Sequence, residues 1–218
     1  MSVPLPPLPP VTGTDEYRPG GATVVALLGQ EHHRLLRLCE RATGVAGPGP
    51  HGSEHEQGET VEVLSAVVSR HLSGEQQHLF PAVRRVLADG EALAAREIAA
   101  DQAILQALRE LEATAPDDTA RAAATARVVD LLRQHVRRLD AEILPALASV
   151  LEESDLVRLG NRVEIAEEAG PTRPHPQAPD APPWNRVVEP ALGMVDKVRD
   201  VVSGRHTRPE DLKDRDAG

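Results

Sequence analysis

The sequence predicts an all-α protein built on an up-down-up-down four-helix bundle. Long segments rich in Ala, Leu, Val, Arg and Glu carry apolar residues at helical spacing, and no segment alternates convincingly with the period of two that marks a strand. Two short connections join successive segments, which favours antiparallel neighbours. We also expect an extra short helix and a Pro-rich C-terminal extension that ends in an amphipathic helix.

The helices follow from this spacing and from the residues that end it. The predicted bundle helices lie at about 21–43, 59–89, 91–114 and 118–152, with a fifth helical stretch near 154–168. Gly90 is expected to end the second helix, and the turn at Pro116 leads into the fourth. Pro81 and Pro145 fall inside the second and fourth helices, so each helix should kink or restart there.

The Pro-rich stretches divide the chain into segments. The predicted order is a disordered Pro-rich N-terminus, the bundle, a Pro-rich linker, an amphipathic helix and a polar tail, at residues 1–20, 21–168, 169–185, 186–203 and 204–218. The apolar stripe of the amphipathic helix consists of Val188, Leu192, Val195, Val198 and Val202. We expect this stripe to dock on the bundle or on a protein partner.

Composition excludes several classes of function. The 218 residues include 34 Asp and Glu against 24 Lys and Arg, a formal net charge of -10 that argues against binding to nucleic acid or to an anionic membrane. The single cysteine, Cys39, excludes an intrachain disulfide and a multi-cysteine metal site. No apolar run reaches the roughly 20 residues of a membrane span, and no signal peptide is visible. A soluble, cytoplasmic protein is therefore expected.

Polar residues interrupt the apolar stripes of the predicted bundle helices. Because a helix advances about 100° per residue, His32 lies within the stripe of the first helix. His71 and Glu75, four residues apart, lie one above the other on the inner face of the second. Glu97 and Asp101 fall near the middle of the apolar face of the third. Two carboxylates on a buried face are poorly solvated and repel each other unless a cation lies between them.

The fourth helix completes a candidate metal site. His135 and Asp140 flank its stripe about 140° apart, and both reach the bundle centre if the helix is distorted near Pro145. All these positions lie near mid-helix, which antiparallel neighbours bring into one layer. Three imidazoles and four carboxylates in one layer indicate a transition-metal site, and the oxygen-rich mixture suits iron or manganese. Seven donors exceed the needs of one tetrahedral zinc ion, so two metals with bridging carboxylates fit better.

Three segments resemble the hemerythrin-like, or HHE cation-binding, family: GQEHHRLLRLCERA, SRHLSGEQQHLFPAV and RQHVRRLDAEILPAL. The resemblance covers about residues 21–152 and implies an up-down four-helix bundle with a non-haem di-iron centre. It implies the ligands His32, His71 with Glu75, and His135 with Asp140. The TRPHP sequence near the C-terminus is similar to extensions that accompany this domain in some bacterial members.

The third helix departs from the family pattern. Oxygen-carrying members place histidines there four residues apart, where this chain offers Glu97 and Asp101. A register shifted by one gives Ile98 and Gln102 instead, neither of them a strong ligand. Carboxylates in place of imidazoles favour the ferric state, so the resemblance implies an oxidised site that reacts with peroxide or nitric oxide rather than an oxygen store.

Other interpretations remain open at this stage. His71 and Glu75 could form a hydrogen-bonded pair on a partly exposed face. Glu97 and Asp101 could lie at the edge of the bundle and form ordinary surface pairs with Arg96 or Arg109. Three functions from different classes follow. The first is an iron protein that senses or reacts with oxygen, peroxide or nitric oxide. The second is a catalase-like, peroxide-removing oxidoreductase, and the third is a metal-free bundle that serves as an interaction module.

Overall fold

A computed structural model describes residues 20–43, 54–115, 119–175, 192–197, 199–200, 203 and 205–212 of the chain. Predictions made for parts of the N-terminus, the first connection, the linker, the amphipathic helix and the tail lie outside these residues, at 1–19, 44–53, 176–191 and 213–218. Within the described ranges every regular element is a helix, as the sequence predicts.

Seven α-helices have both ends within the described residues: α1 (Val24–Ala42), α2 (Glu54–Gly74), α3 (Phe80–Val86), α4 (Gly90–Ala113), α5 (Arg121–Arg138), α6 (Leu144–Val150) and α7 (Glu153–Ala169). The π segments Glu75–Leu79 and Leu139–Ile143 join α2 to α3 and α5 to α6. A 3-10 turn spans Pro209–Asp211, and residues 192–197 and 199–200 are helical.

The two π segments are the local consequence of Pro81 and Pro145. Proline lacks an N–H and collides with the carbonyl four residues earlier, so an α-helix cannot pass through it unchanged. The turn widens instead: the Phe80 N–H donates to the Glu75 carbonyl five residues back, and the Leu144 N–H donates to that of Leu139. The predicted interruption of both helices is confirmed, and each helix continues beyond its proline.

Gly90 plays a different part from the one predicted. The preceding helix ends at Val86, and Gly90 begins α4 rather than ending the second helix. A Cβ at this position would lie 2.1 Å from the carbonyl oxygen of Val83. Glycine therefore allows the two helices to approach closely at this corner.

The four long helical units form the predicted bundle. Helix α1 packs against α2 and α5, α4 packs against α2 and α5, and α7 lies outside, along α1 and α2. Two apolar clusters fill the interior. On each unit a buried polar residue lies between members of the two clusters: His32 between Leu28 and Leu35, Glu75 between Leu72 and Leu79, Asp101 between Ile98 and Ile104, and His135 between Leu132 and Leu139. One polar layer therefore divides the core.

The C-terminal extension is held by polar contacts. The buried carboxylate of Asp196 accepts hydrogen bonds from the backbone N–H of Arg173 and from His175, at 3.1 and 2.9 Å. Asp200 pairs with the Arg173 guanidinium at 2.8 Å and accepts a hydrogen bond from the Thr172 hydroxyl. These contacts join the TRPHP segment to the C-terminal helix.

The docking face of that helix differs from the predicted apolar stripe. Val195 is 55% exposed, whereas Asp196 and Asp200 are buried. Val188, Val198 and Val202 lie outside the described residues. In the described part of the helix, Asp196 and Asp200 meet cationic and hydroxyl partners on the TRPHP segment, which the pattern of one helix does not reveal.

Candidate metal centre

The polar layer brings together His32, His71, Glu75 and His135. Each is at most 3% exposed, and one ligand atom from each lies within 4.8 Å of one from every other. The three imidazole rings meet edge to face, with ring centroids 5.3 to 6.0 Å apart. Glu75 lies at the first residue of a π segment, so the wider turn before Pro81 belongs to the site itself.

The donor atoms that face one another have no hydrogen-bond partners. Glu75 Oε1 lies 3.3 Å from His71 Nε2, and Glu75 Oε2 lies 3.3 Å from His135 Nε2. Within the part of the chain that the structure describes, neither oxygen accepts a hydrogen bond, and His32 Nε2 is equally unpartnered. Buried polar atoms are normally satisfied because an unmet donor or acceptor is costly. A bound cation is the partner that imidazole nitrogens and carboxylate oxygens share, so this set fits a metal ion.

The outer nitrogens of two of these histidines are held by carboxylates. His32 Nδ1 donates to Asp140 at 2.6 Å, and His71 Nδ1 donates to Glu31 at 3.1 Å. Such a contact fixes the ring and its tautomer, and leaves Nε2 free to bind a metal. Both rings therefore present Nε2 toward the shared centre.

Burial disfavours the charged form of each titratable group in the site, and the neighbouring charges and hydrogen bonds decide the final direction of the pKa shift. Burial lowers the pKa of His32, although a carboxylate hydrogen bond opposes it. Burial would also lower the pKa of His71, but the negative charge of Glu75 and the nearby carboxylates of Glu167 and Glu31 raise it well above its ordinary value. Burial, together with the charge of Glu75, raises the pKa of Asp101 well above its ordinary value. Metal binding at such a site must displace protons.

A model of the hemerythrin HHE cation-binding domain matches residues 23–147, more than half of the chain. The chain belongs to the hemerythrin HHE cation-binding family. An uncharacterized hemerythrin-like protein of Schizosaccharomyces pombe is 23% identical over 136 residues, which are 62% of this chain and 67% of that protein. No solved structure matches the chain. No helix among the described residues is both long and apolar enough to cross a membrane.

Within this hemerythrin-family bundle, the predicted third-helix residues diverge. Asp101 is fully buried beside the cluster, with Oδ1 3.4 Å from His135 Nδ1 and Oδ2 accepting a hydrogen bond from Gln76 at 3.0 Å. Glu97 is also fully buried, but Arg138 engages both of its oxygens at 2.9 and 3.0 Å. Helix α4 therefore brings Asp101, but not Glu97, to the imidazoles.

The remaining predicted positions lie around the hemerythrin-family site. Asp140, in the second π segment, reaches His32 through its outer nitrogen and is 41% exposed. The distortion expected before Pro145 lets it turn inward. Gln102 is half-buried next to Asp101 and lines a separate cavity with Ser69 and Arg173.

Two residues near His71 were not anticipated from the sequence. Glu31 lies in α1 directly before His32, and Glu167 lies near the end of α7. Burial raises the pKa of Glu167 to about 8. The position of Glu31 directly before an inward-facing histidine could have identified it from the sequence. Nothing in the sequence identifies Glu167, because the spacing of residues within α7 does not show how α7 packs against the bundle.

Proposed function

We propose that this chain binds non-haem iron in the middle of its bundle and senses or reacts with a small ligand there: oxygen, peroxide or nitric oxide. One observation carries the proposal. The donor atoms of His32, His71, Glu75 and His135 converge in the core without hydrogen-bond partners. A structural polar cluster of this size would satisfy its own atoms, whereas a metal site leaves them for the ion.

The donor types favour iron, with manganese as the alternative that the same set accepts. Imidazole suits iron among other transition metals, and carboxylate oxygen favours hard cations. Asp101 supplies a further carboxylate beside the central set, and we propose that it takes part in a dinuclear centre, whereas Asp140 supports His32 from its outer nitrogen. We leave Glu97 out of the proposed ligands because Arg138 neutralises its charge.

The chain itself limits what can reach this centre. Bound iron would supply redox chemistry and coordination positions for a ligand. The four central side chains are at most 3% exposed. Only a ligand of a few atoms could therefore reach them, unless the helices separate. The carboxylates on the outer nitrogens of His32 and His71 keep both rings oriented meanwhile.

A cytoplasmic location belongs to the same proposal. Cys39 is free and buried, and burial raises the pKa of its thiol to about 12. A thiol of that kind is protonated and unreactive at neutral pH, so it interferes little with iron chemistry nearby. A lone free cysteine is compatible with the reducing compartment that the sequence predicts.

The test is reactivity after loading with iron. Reduced, iron-loaded protein is mixed separately with oxygen, hydrogen peroxide and nitric oxide, and its visible absorption is followed by stopped flow, with His135→Ala as the control. We expect a stoichiometric change with at least one ligand and none in the control. Sustained peroxide consumption would move the assignment to a catalase-like enzyme. An iron-loaded protein that responds to none of the three would overturn the small-ligand part of the proposal.

A further inference from the structure

Helix α7 lies beyond the segment that the family model matches, yet it reaches the metal centre. Glu167 Oε1 lies 3.5 Å from His71 Nδ1, the same atom that contacts Glu31 Oε2 at 3.1 Å. We infer that Glu167 is a positioning residue of the centre, which holds His71 together with Glu31 so that Nε2 faces Glu75. This inference rests on the proposed metal binding.

The location of Glu167 separates it from the other acidic residues of its helix. Its side chain is 14% exposed, whereas Glu164 and Glu168 are exposed. It follows Val163 by four residues and therefore continues the buried face of α7. A carboxylate on that face is costly unless a positive or polar group faces it, and the imidazole of His71, 3.5 Å away, is such a group.

Two close approaches fix α7 in the position that this contact needs. A Cβ on Gly74, the last residue of α2, would lie 2.7 Å from Cγ of Glu167 and 3.1 Å from the carbonyl oxygen of Val163. Near the middle of α7, a Cβ on Gly160 would lie 2.5 Å from the carbonyl oxygen of Ala22. The absence of side chains at both glycines lets α7 lie directly on the bundle. Gly74 also immediately precedes Glu75.

The chemical consequence concerns the ring of His71. A carboxylate that accepts a hydrogen bond from Nδ1–H, as Glu31 does, leaves the Nε2 lone pair for the metal and increases its basicity, and Glu167 faces the same N–H group at 3.5 Å. Because Glu31 and Glu167 share one nitrogen, loss of either leaves a partner in place. Each single substitution should therefore weaken metal binding by about tenfold, the lower end of the usual range for such supporting residues.

The experiment uses cobalt(II) as an optical probe in the full-length, metal-free protein. Parent, Glu167→Gln and the control Glu164→Gln are titrated, and both the dissociation constant and the visible absorption of the bound ion are recorded. We expect Glu167→Gln to bind about tenfold more weakly and with a shifted spectrum, and the control to match the parent. A merely structural role would lower the amplitude through unfolding but would leave the spectrum of the bound ion unchanged.

Other outcomes separate the two claims. If the parent itself fails to bind cobalt(II), the proposed metal binding fails. If Glu167→Gln matches the parent in affinity and spectrum, the role of Glu167 is overturned while metal binding stands. Should Glu167→Gln not fold, Gly74→Ala supplies the test, because its methyl group would displace Glu167 without changing a charge. An unshifted cobalt(II) spectrum in Gly74→Ala would equally overturn the inference.

Discussion

Glu75 and Glu97 are both fully buried glutamates of the bundle, but they meet different partners. Glu97 accepts hydrogen bonds from Arg138 at 2.9 and 3.0 Å and from Arg96 at 2.8 Å. Glu75 accepts none, and its two oxygens each face an imidazole nitrogen at 3.3 Å. One carboxylate is neutralised by guanidinium groups, whereas the other lies among groups that would themselves bind a cation.

The comparison teaches that residue type and burial do not by themselves identify a ligand. A buried carboxylate needs a compensating positive charge or a set of hydrogen bonds. Where a neighbouring helix supplies arginine, the carboxylate stabilises the fold. Where only imidazoles converge, we propose that a metal ion provides the charge. The predictions below test this division of roles.

The largest difference should appear in metal affinity. Glu75→Gln removes the carboxylate at the centre of the donor set, so we expect it to weaken iron(II) binding by about 100-fold or more, beyond the 10- to 100-fold typical of supporting residues. Glu97→Gln should change the affinity less than about threefold, since arginine already occupies that carboxylate. Competition with a chromophoric chelator measures both constants. Equal losses in the two variants would contradict the proposed roles.

The second difference concerns stability. In the metal-free protein, Glu97→Gln leaves the Arg138 guanidinium without its carboxylate in a place where it is only 29% exposed. We expect the free energy of unfolding to fall by about 2 kcal/mol. Urea denaturation measures the loss. In the double variant Glu97→Gln/Arg138→Met, where both charges are absent, part of the loss should be recovered. A double variant no more stable than the single one would argue against the ion pair as the cause.

The effect of Asp101 on metal affinity should lie between that of Glu75 and that of Glu97. Its Oδ2 is engaged by Gln76, but its Oδ1 is unpartnered near His135. We expect Asp101→Asn to weaken iron binding by about tenfold and to lower the amount bound if the centre is dinuclear. Elemental analysis and chelator competition test the two parts. An affinity equal to that of the parent would remove Asp101 from the site.

The smallest effect should lie far from the imidazoles, at the C-terminal extension. Asp200→Asn weakens the pairing with Arg173, which is 20% exposed, and should lower the local stability by about 1 kcal/mol. Hydrogen exchange at 171–175 should accelerate, while metal affinity stays unchanged. Asp155→Asn, at an exposed residue of α7, is the control. A loss of metal affinity in Asp200→Asn would show that the extension supports the centre.

Helical spacing predicted the central residues because their direction is a local property. His32, His71, Glu75 and His135 each lie on the apolar face of one helix, and the phase of that helix is enough to aim them inward. The helical phase also correctly predicted that Glu97 faces the interior of the bundle. It did not show that Arg138, 41 residues further along the chain, would neutralise the charge of Glu97.

The features that spacing missed depend on contacts between distant segments. Asp140 lies in the helix distortion that the sequence predicted near Pro145, but its contact with the outer nitrogen of His32 could not be derived from the spacing of one helix. Glu167 reaches His71 because α7 packs closely over Gly74. The periodicity of residues within α7 does not predict this packing. The described part of the C-terminal helix turns Asp196 and Asp200 toward the TRPHP segment, and the donors that they meet lie some 20 to 30 residues earlier in the chain.

The most direct test of the central claim is the metal content of the purified chain. Protein produced in iron-supplemented medium without a metal-binding tag is measured by elemental analysis beside Glu75→Gln prepared identically. The account predicts close to two irons per chain in the parent and a marked loss in the variant. A parent with no metal above background would contradict the account and leave a bundle whose buried imidazoles serve another purpose.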